Sequence, residues 1–208
     1  MKLTEMTVHD YLQLVASDAP APGGGSASAL VGAQGVGLFT MVAGLTLGRK
    51  KYVDFTDNCN EIIEAGKPVV AELTAQIDRD TDAYNLISDA FKMPKDTDEQ
   101  KAARKKAIYD ATVVATNAPL YTLELCHKGM ELGRRLIGKF NTNCASDFGV
   151  GALNVKAAAY GAWMNVLINV SGLDEAAAAD YKAKGQKLID EIDEGFELIY
   201  AETMQYMQ

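Results

Sequence analysis

Histidine and cysteine are scarce in this chain, with two of the first and three of the second in 208 residues. His9 and His127 stand far apart with no further ligand at metal spacing, which argues against a zinc centre. Cys59, Cys126 and Cys144 are odd in number and form no C-x-x-C pair, a usage that suits reduced thiols and a cytoplasmic setting. Only Cys126, beside His127, hints at a nucleophile, and adjacent residues of a helix point apart. Basic residues are also in the minority: 20 against 28 acidic ones gives a formal charge of -8, with only short basic clusters, so no nucleic-acid partner is expected. Strand-like alternation rich in valine and isoleucine is missing. The run Gly23-Gly24-Gly25-Ser26 lacks the Lys-Ser/Thr ending of a phosphate loop and follows no strand. Met1 to Glu5 leads into an amphipathic segment and not an apolar signal core.

One long uncharged run stands out, from Ser26 to Gly48. Gly32, Gly35, Gly37, Ala43 and Gly44 leave one side of any helix there too small to hold neighbours at the usual distance, so something packs close. Its length would suffice for a membrane span. Ser28, Gln34, Thr40 and Thr46 make it only weakly apolar, and the better reading is a buried central helix with no membrane partner. Ser26 is expected to cap that helix, with the preceding glycines freeing backbone N–H groups to face a ligand. Arg49, Lys50 and Lys51 form a basic cluster at its far end, favourable for the helix dipole.

The rest of the chain reads as amphipathic helices in a single domain, residues 1–208. Thr7 caps a first helix to Ser17, with Val8, Tyr11, Leu12 and Val15 on one face. Asp54 to Lys92 predicts one long helix carrying Pro68, stopped by Met93-Pro94-Lys95. Thr97-Asp98-Glu99 opens another, which Pro119 kinks or divides; a further helix then runs from Leu120 to about Ile137. After the polar loop Asn141 to Ala145, Ser146 or Asp147 caps a second small-residue helix with Asn165 and Asn169 four apart, their amides meeting either a neighbouring helix or a ligand. Asp174-Glu175 begins a last helix with Leu188, Ile192, Phe196 and Ile199 as its core stripe. The predicted fold is all-α: a bundle of long antiparallel helices with two small-residue helices at the centre, and leftover small helix surface that could close a symmetric dimer.

The chemical anomaly is Asp80. At 100° per residue, Asp78 and Asp82 share a face with Asn85 and Asp89, an ordinary solvated side. Asp80 instead falls with Leu73, Ile77, Ala83, Tyr84 and Ile87, on the apolar stripe. A buried acid without a partner raises its pKa, so the placement signals either an ion pair or a catalytic acid or base.

Several of these pieces keep the order found in one family. Pro22-Gly23-Gly24-Gly25-Ser26, Leu45-Thr46 with Gly48-Arg49-Lys50-Lys51-Tyr52, the Asp80 segment, Pro94-Lys95, Asn141 with Ser146-Asp147, and Asn165-Val166 with Asn169 resemble the cyclodeaminase/cyclohydrolase family of folate enzymes, over nearly the whole chain. The resemblance implies an all-helical dimer acting on tetrahydrofolate that carries a one-carbon unit, with no metal and no cofactor beyond that substrate. It aligns Asp80 with the family's active-site aspartate, which moves the balance from ion pair to catalysis. Gly48 to Tyr52 and Asn141-Thr142-Asn143 look more like the cyclohydrolase, which opens 5,10-methenyltetrahydrofolate to the 10-formyl form, than the cyclodeaminase, which releases ammonia from formiminotetrahydrofolate. A non-catalytic folate-binding bundle is the rival from another class. The glycine loop and Ser26 are then expected to supply backbone donors, Arg49, Lys50 and Lys51 to meet the carboxylates of a mono- or polyglutamate tail, and Asn141, Asn143, Ser146, Asp147 and Asn165 to contact the pterin or the bridge.

Overall fold

The computed structural model describes residues 2–207, and among them every regular element is helical. α1 (Val8–Val15), α2 (Gly24–Thr46), α3 (Thr56–Lys92), α4 (Asp98–Arg134), α5 (Ala145–Asn169) and α6 (Glu175–Met204) are joined by short loops and 3-10 turns. Three predicted starts are capped as the sequence requires. The Thr7 hydroxyl accepts from the Asp10 N–H at 3.1 Å, Thr97 and Gln100 cap α4 reciprocally, and Asp174 accepts from the Ala177 N–H at 2.9 Å.

Four expectations need correction. Gly23, and not Ser26, stands at the α2 cap, which leaves Ser26 as the third helical residue. α5 starts one residue before Ser146 with Cys144 at the cap, so Ser146 and Asp147 lie in its first turn. α3 begins at Thr56, after a 3-10 segment over Lys50–Phe55. Pro119 does not divide α4: one helix runs from Asp98 to Arg134. A proline lacks the N–H that would bond the carbonyl four residues back. Here that carbonyl belongs to Ala115, and the Asn169 side-chain amide donates to it at 2.6 Å, so α5 repairs the gap in α4.

α2 is the central element, packed against α3, α4 and α5. Its small residues decide the spacing: a Cβ on Gly35 would sit 2.8 Å from the Gly151 carbonyl oxygen, so the α2 and α5 backbones touch there. The two helices run antiparallel, Gly24 lying beside Asn165 and the Thr46 hydroxyl accepting from the Asn141 N–H at 2.8 Å. Around them Phe39, Phe140, Phe148, Leu73, Leu123, Met130, Ile192 and Ile199 close the core, the α6 stripe taking part through Ile189, Ile192, Phe196 and Ile199. By length and composition α2 is the one helix among the described residues able to cross a membrane, and half of its apolar window is buried within the chain.

Two apolar surfaces stay uncovered. α1 buries only Tyr11 of its expected face, with Val8 77% and Leu12 56% exposed. The outward sides of α2 and α5 present Met41, Leu45, Val150, Leu153, Met164 and Ile168.

Candidate active site

Asp80 meets the N-terminus of α2. Its Oδ2 accepts from the Ser26 N–H at 2.8 Å and lies 3.2 Å from the Ser26 hydroxyl, which also donates to the Ile77 carbonyl at 2.8 Å. The acid therefore satisfies one of the free donors at the start of α2 from a neighbouring helix. This contact is possible only over glycine: a Cβ on Gly25 would fall 2.0 Å from Asp80 Oδ1. Asp80 and the glycine loop thus specify each other, a relation that phase analysis of either helix alone does not reveal.

The Oδ1 atom accepts no hydrogen bond from the described residues, and the carboxylate lines a cleft of about 110 Å³ together with Gly23, Gly24, Thr81, Ala115, Asn165 and Asn169. No lysine, arginine or histidine lines that cleft. Burial pushes the Asp80 carboxyl above its ordinary value, and the two bonds from Ser26 offset this only in part. An acid in this setting attracts a cation and can accept a proton near neutral pH more readily than a solvated one. No group of metal-ligating side chains gathers among the described residues.

Tyr11 is a neighbour that helical spacing marked only as core. It is 7% exposed, packs with Ala29 and Ile77 just below Asp80, and its hydroxyl has no hydrogen-bond partner. Burial first, and the charge of Asp80 second, hold this phenol above its usual range. Asn165 bonds the Gly161 carbonyl at 2.9 Å while lining the cleft, so its amide serves its own helix and leaves its remaining capacity for a ligand.

The other expected site residues gather elsewhere. Arg49, Lys50, Lys51, Asn141, Asn143, Ser146 and Asp147 lie at the opposite end of α2, whose 23 residues correspond to roughly 34 Å. Gly48, at φ +72°, turns the chain there. Asn141 is 2% exposed and spends its side chain internally, donating to the Leu45 carbonyl at 3.2 Å and accepting from the Asn143 N–H at 3.2 Å. Arg49 donates through Nε to the same Leu45 carbonyl at 2.9 Å, and Lys51 lies 5.2 Å from the centre of the Tyr52 ring. Within one chain, then, Gly23, Gly24, Gly25, Ser26, Asp80 and Asn165 come together and the remaining seven form a separate cluster.

The chain is thus an all-helical bundle with an inward acid held over a glycine-opened helix start. Residues 7–187 match the formiminotransferase-cyclodeaminase family model, and the chain belongs to that family. It is 38% identical over 178 residues, 86% of each chain, to a methenyltetrahydrofolate cyclohydrolase of Methylorubrum extorquens. It is 30% identical over 173 residues to the formimidoyltransferase-cyclodeaminase of Mus musculus, of which the match covers 32%. A solved formiminotetrahydrofolate cyclodeaminase of Thermotoga maritima superposes with a TM-score of 0.81 over 99% of this chain and 97% of its own, at 22% identity, which establishes the common fold.

Proposed function

We propose that this enzyme hydrolyses 5,10-methenyltetrahydrofolate to 10-formyltetrahydrofolate. The observation that carries the reading is the Asp80 carboxylate, with one oxygen free in a cleft that holds no cation of its own. The methenyl bridge is a cationic amidinium, electrophilic at carbon, and an ionised Asp80 attracts that charge and takes a proton from the attacking water. The tetrahedral adduct then loses its bond to N5 as Asp80 returns the proton to that nitrogen; the adduct's hydroxyl gives its own proton to water as the C=O forms, and the formyl group stays on N10. Free N–H groups at the start of α2, with Asn165, hold acceptor atoms of the pterin so that the bridge faces Asp80. The chemistry calls for no metal or further cofactor.

Identity to the Methylorubrum enzyme favours hydrolysis, while the mammalian relatives motivate the second reading, release of ammonia from formiminotetrahydrofolate at the same carboxylate. Purified protein distinguishes them by the methenyl absorbance. Loss on adding methenyltetrahydrofolate supports hydrolysis, gain with ammonia on adding the formimino form supports deamination, and no change with either refutes both.

The proposed enzyme works in the cytoplasm as a homodimer, away from membranes and nucleic acid. The uncovered α2–α5 side supports the dimer, since a second copy would bury Met41, Leu45, Val150, Leu153, Met164 and Ile168. A two-fold axis crossing the middle of α2 would direct the Arg49–Lys51 and Asn141–Asp147 cluster of one copy towards the Asp80 end of the other. In that arrangement Arg49, Lys50, Lys51, Asn143, Ser146 and Asp147 contact substrate, while Asn141 keeps its amide inside its own chain.

A further inference from the structure

α3 and α4 each carry a proline inside a continuous helix, and the two losses are met differently. A proline donates nothing to the carbonyl four residues back. For Pro68 that carbonyl belongs to Glu64, and both residues are exposed, so solvent can serve it. For Pro119 it belongs to Ala115, which is 6% exposed, so the donor has to come from the protein.

That donor is the Asn169 amide, whose Nδ2 lies 2.6 Å from the Ala115 carbonyl oxygen. Asn169 is the last residue of α5, and its side chain does not cap the 3-10 turn Val170–Gly172 that follows. Because a carbonyl can only accept, the bond fixes which end of the amide faces α4. The nitrogen goes to Ala115, and Oδ1 is left without a partner among the described residues. Asn169 and Ala115 both line the Asp80 cleft. Closing the gap in α4 needs a donor alone, which a hydroxyl would also supply. The amide brings an acceptor as well, and sets it beside a cleft whose lining holds a second unpartnered oxygen, Asp80 Oδ1, and no lysine, arginine or histidine. Two such oxygens suit a ligand rich in N–H donors. A reduced pterin is one: its ring carries several N–H groups and, in the methenyl form, a cationic bridge.

We propose that Pro119 and Asn169 act as one positioning device for the pterin: the proline frees the Ala115 carbonyl, the carbonyl claims the Asn169 nitrogen, and Asn169 Oδ1 is thereby held as the acceptor for a ring N–H of the substrate. The proposal rests on the folate reading of the cleft. Pro119 does not line that cleft and acts only through Asn169, one helical turn and one hydrogen bond away. Asn169 holds the ring and not the reacting bridge, so its bond is made alike in the ground and transition states and shows in KM more than in kcat.

Three variants separate this role from helix repair. Asn169→Ala should raise KM for methenyltetrahydrofolate about tenfold, the scale of one hydrogen bond, with kcat changed less than about threefold. It should also lower the urea midpoint, because the Ala115 carbonyl loses its donor. Pro119→Ala/Asn169→Ala returns a backbone N–H to that carbonyl, so the midpoint should recover while KM stays raised. Pro119→Ala alone lets α4 claim the carbonyl and releases the amide, so KM should rise about threefold with Asn169 still in place and the circular dichroism unchanged. A wild-type KM in the double variant would mean that Asn169 only repairs α4, and a wild-type KM in Pro119→Ala would mean that the proline orients nothing; either result overturns the proposal. Binding of tetrahydrofolate, which has no bridge to open, keeps this apart from the reaction. The same ordering of dissociation constants without turnover of either substrate supports the device and removes the reaction, whereas turnover with one KM in all four proteins removes the device alone.

Discussion

The two ends of α2 both gather polar groups and end up doing different things. At the first, Gly25 lets the helix start meet an acid from α3, and one carboxylate oxygen is left free in a cleft. At the second, Asn141, Thr46 and Leu45 close a network in which each polar group finds a protein partner. The difference lies in satisfaction: a polar group already bonded by its neighbours holds structure, and one left over beside a cavity is available for chemistry. Substitutions should therefore separate turnover from stability according to the end at which they fall.

The largest effect is expected from Asp80→Asn. Turnover of methenyltetrahydrofolate should fall by about two or more powers of ten, the usual scale for a positioned base. Stability should not fall with it. The Asp80 carboxyl is raised in the folded state, so its contribution is most favourable at low pH and is lost as pH rises through the folded value. At neutral pH the wild type bears the cost of an ionised, partly buried acid. The asparagine avoids that cost while its amide oxygen still accepts from the Ser26 N–H, so thermal denaturation at pH 7 should give an equal or higher Tm.

Gly25→Ala sharpens the contrast from the other partner. The new methyl would lie 2.0 Å from Asp80 Oδ1, and the carboxylate, being the end of a side chain, can swing aside. A displacement of about 1 Å is enough to cost roughly a hundredfold in rate. Steady-state assays should show that loss, with the unfolding midpoint shifted little.

Asn141→Ala, at the far end, should act in the opposite sense. Removing a buried amide strips a donor from the Leu45 carbonyl and an acceptor from the Asn143 N–H, a cost of about 1–3 kcal/mol that urea titration would register. A variant as stable as the wild type would show that the network does not hold this end together.

Much of this architecture was legible in the residues. Caps at Thr7, Thr97 and Asp174, the close-packing glycines and the inward phase of Asp80 all follow from local rules and appear in the fold. Ser26 reads as a cap from its own segment alone, whereas the acceptor for its N–H arrives from α3, 54 residues on. The continuity of α4 was hidden for the same reason: Asn169, 54 residues from Ala115, supplies what Pro119 lacks. The distance between Asp80 and the Arg49 cluster could not be read from motif order, since order along a chain says nothing about which end of an antiparallel pair a loop occupies. Tyr11 gave a signal of helical burial and none of its hydroxyl, because an orphaned polar atom exists only in three dimensions.

The pH dependence of kcat/KM for methenyltetrahydrofolate hydrolysis tests the role of Asp80 most directly. With Asp80 as the base in its ionised form, activity should decline as pH falls through its raised value, so the acid limb lies above the ordinary aspartate value of about 4, and the residual activity of Asp80→Asn should lack that limb. An acid limb of the same position in both proteins would contradict the account.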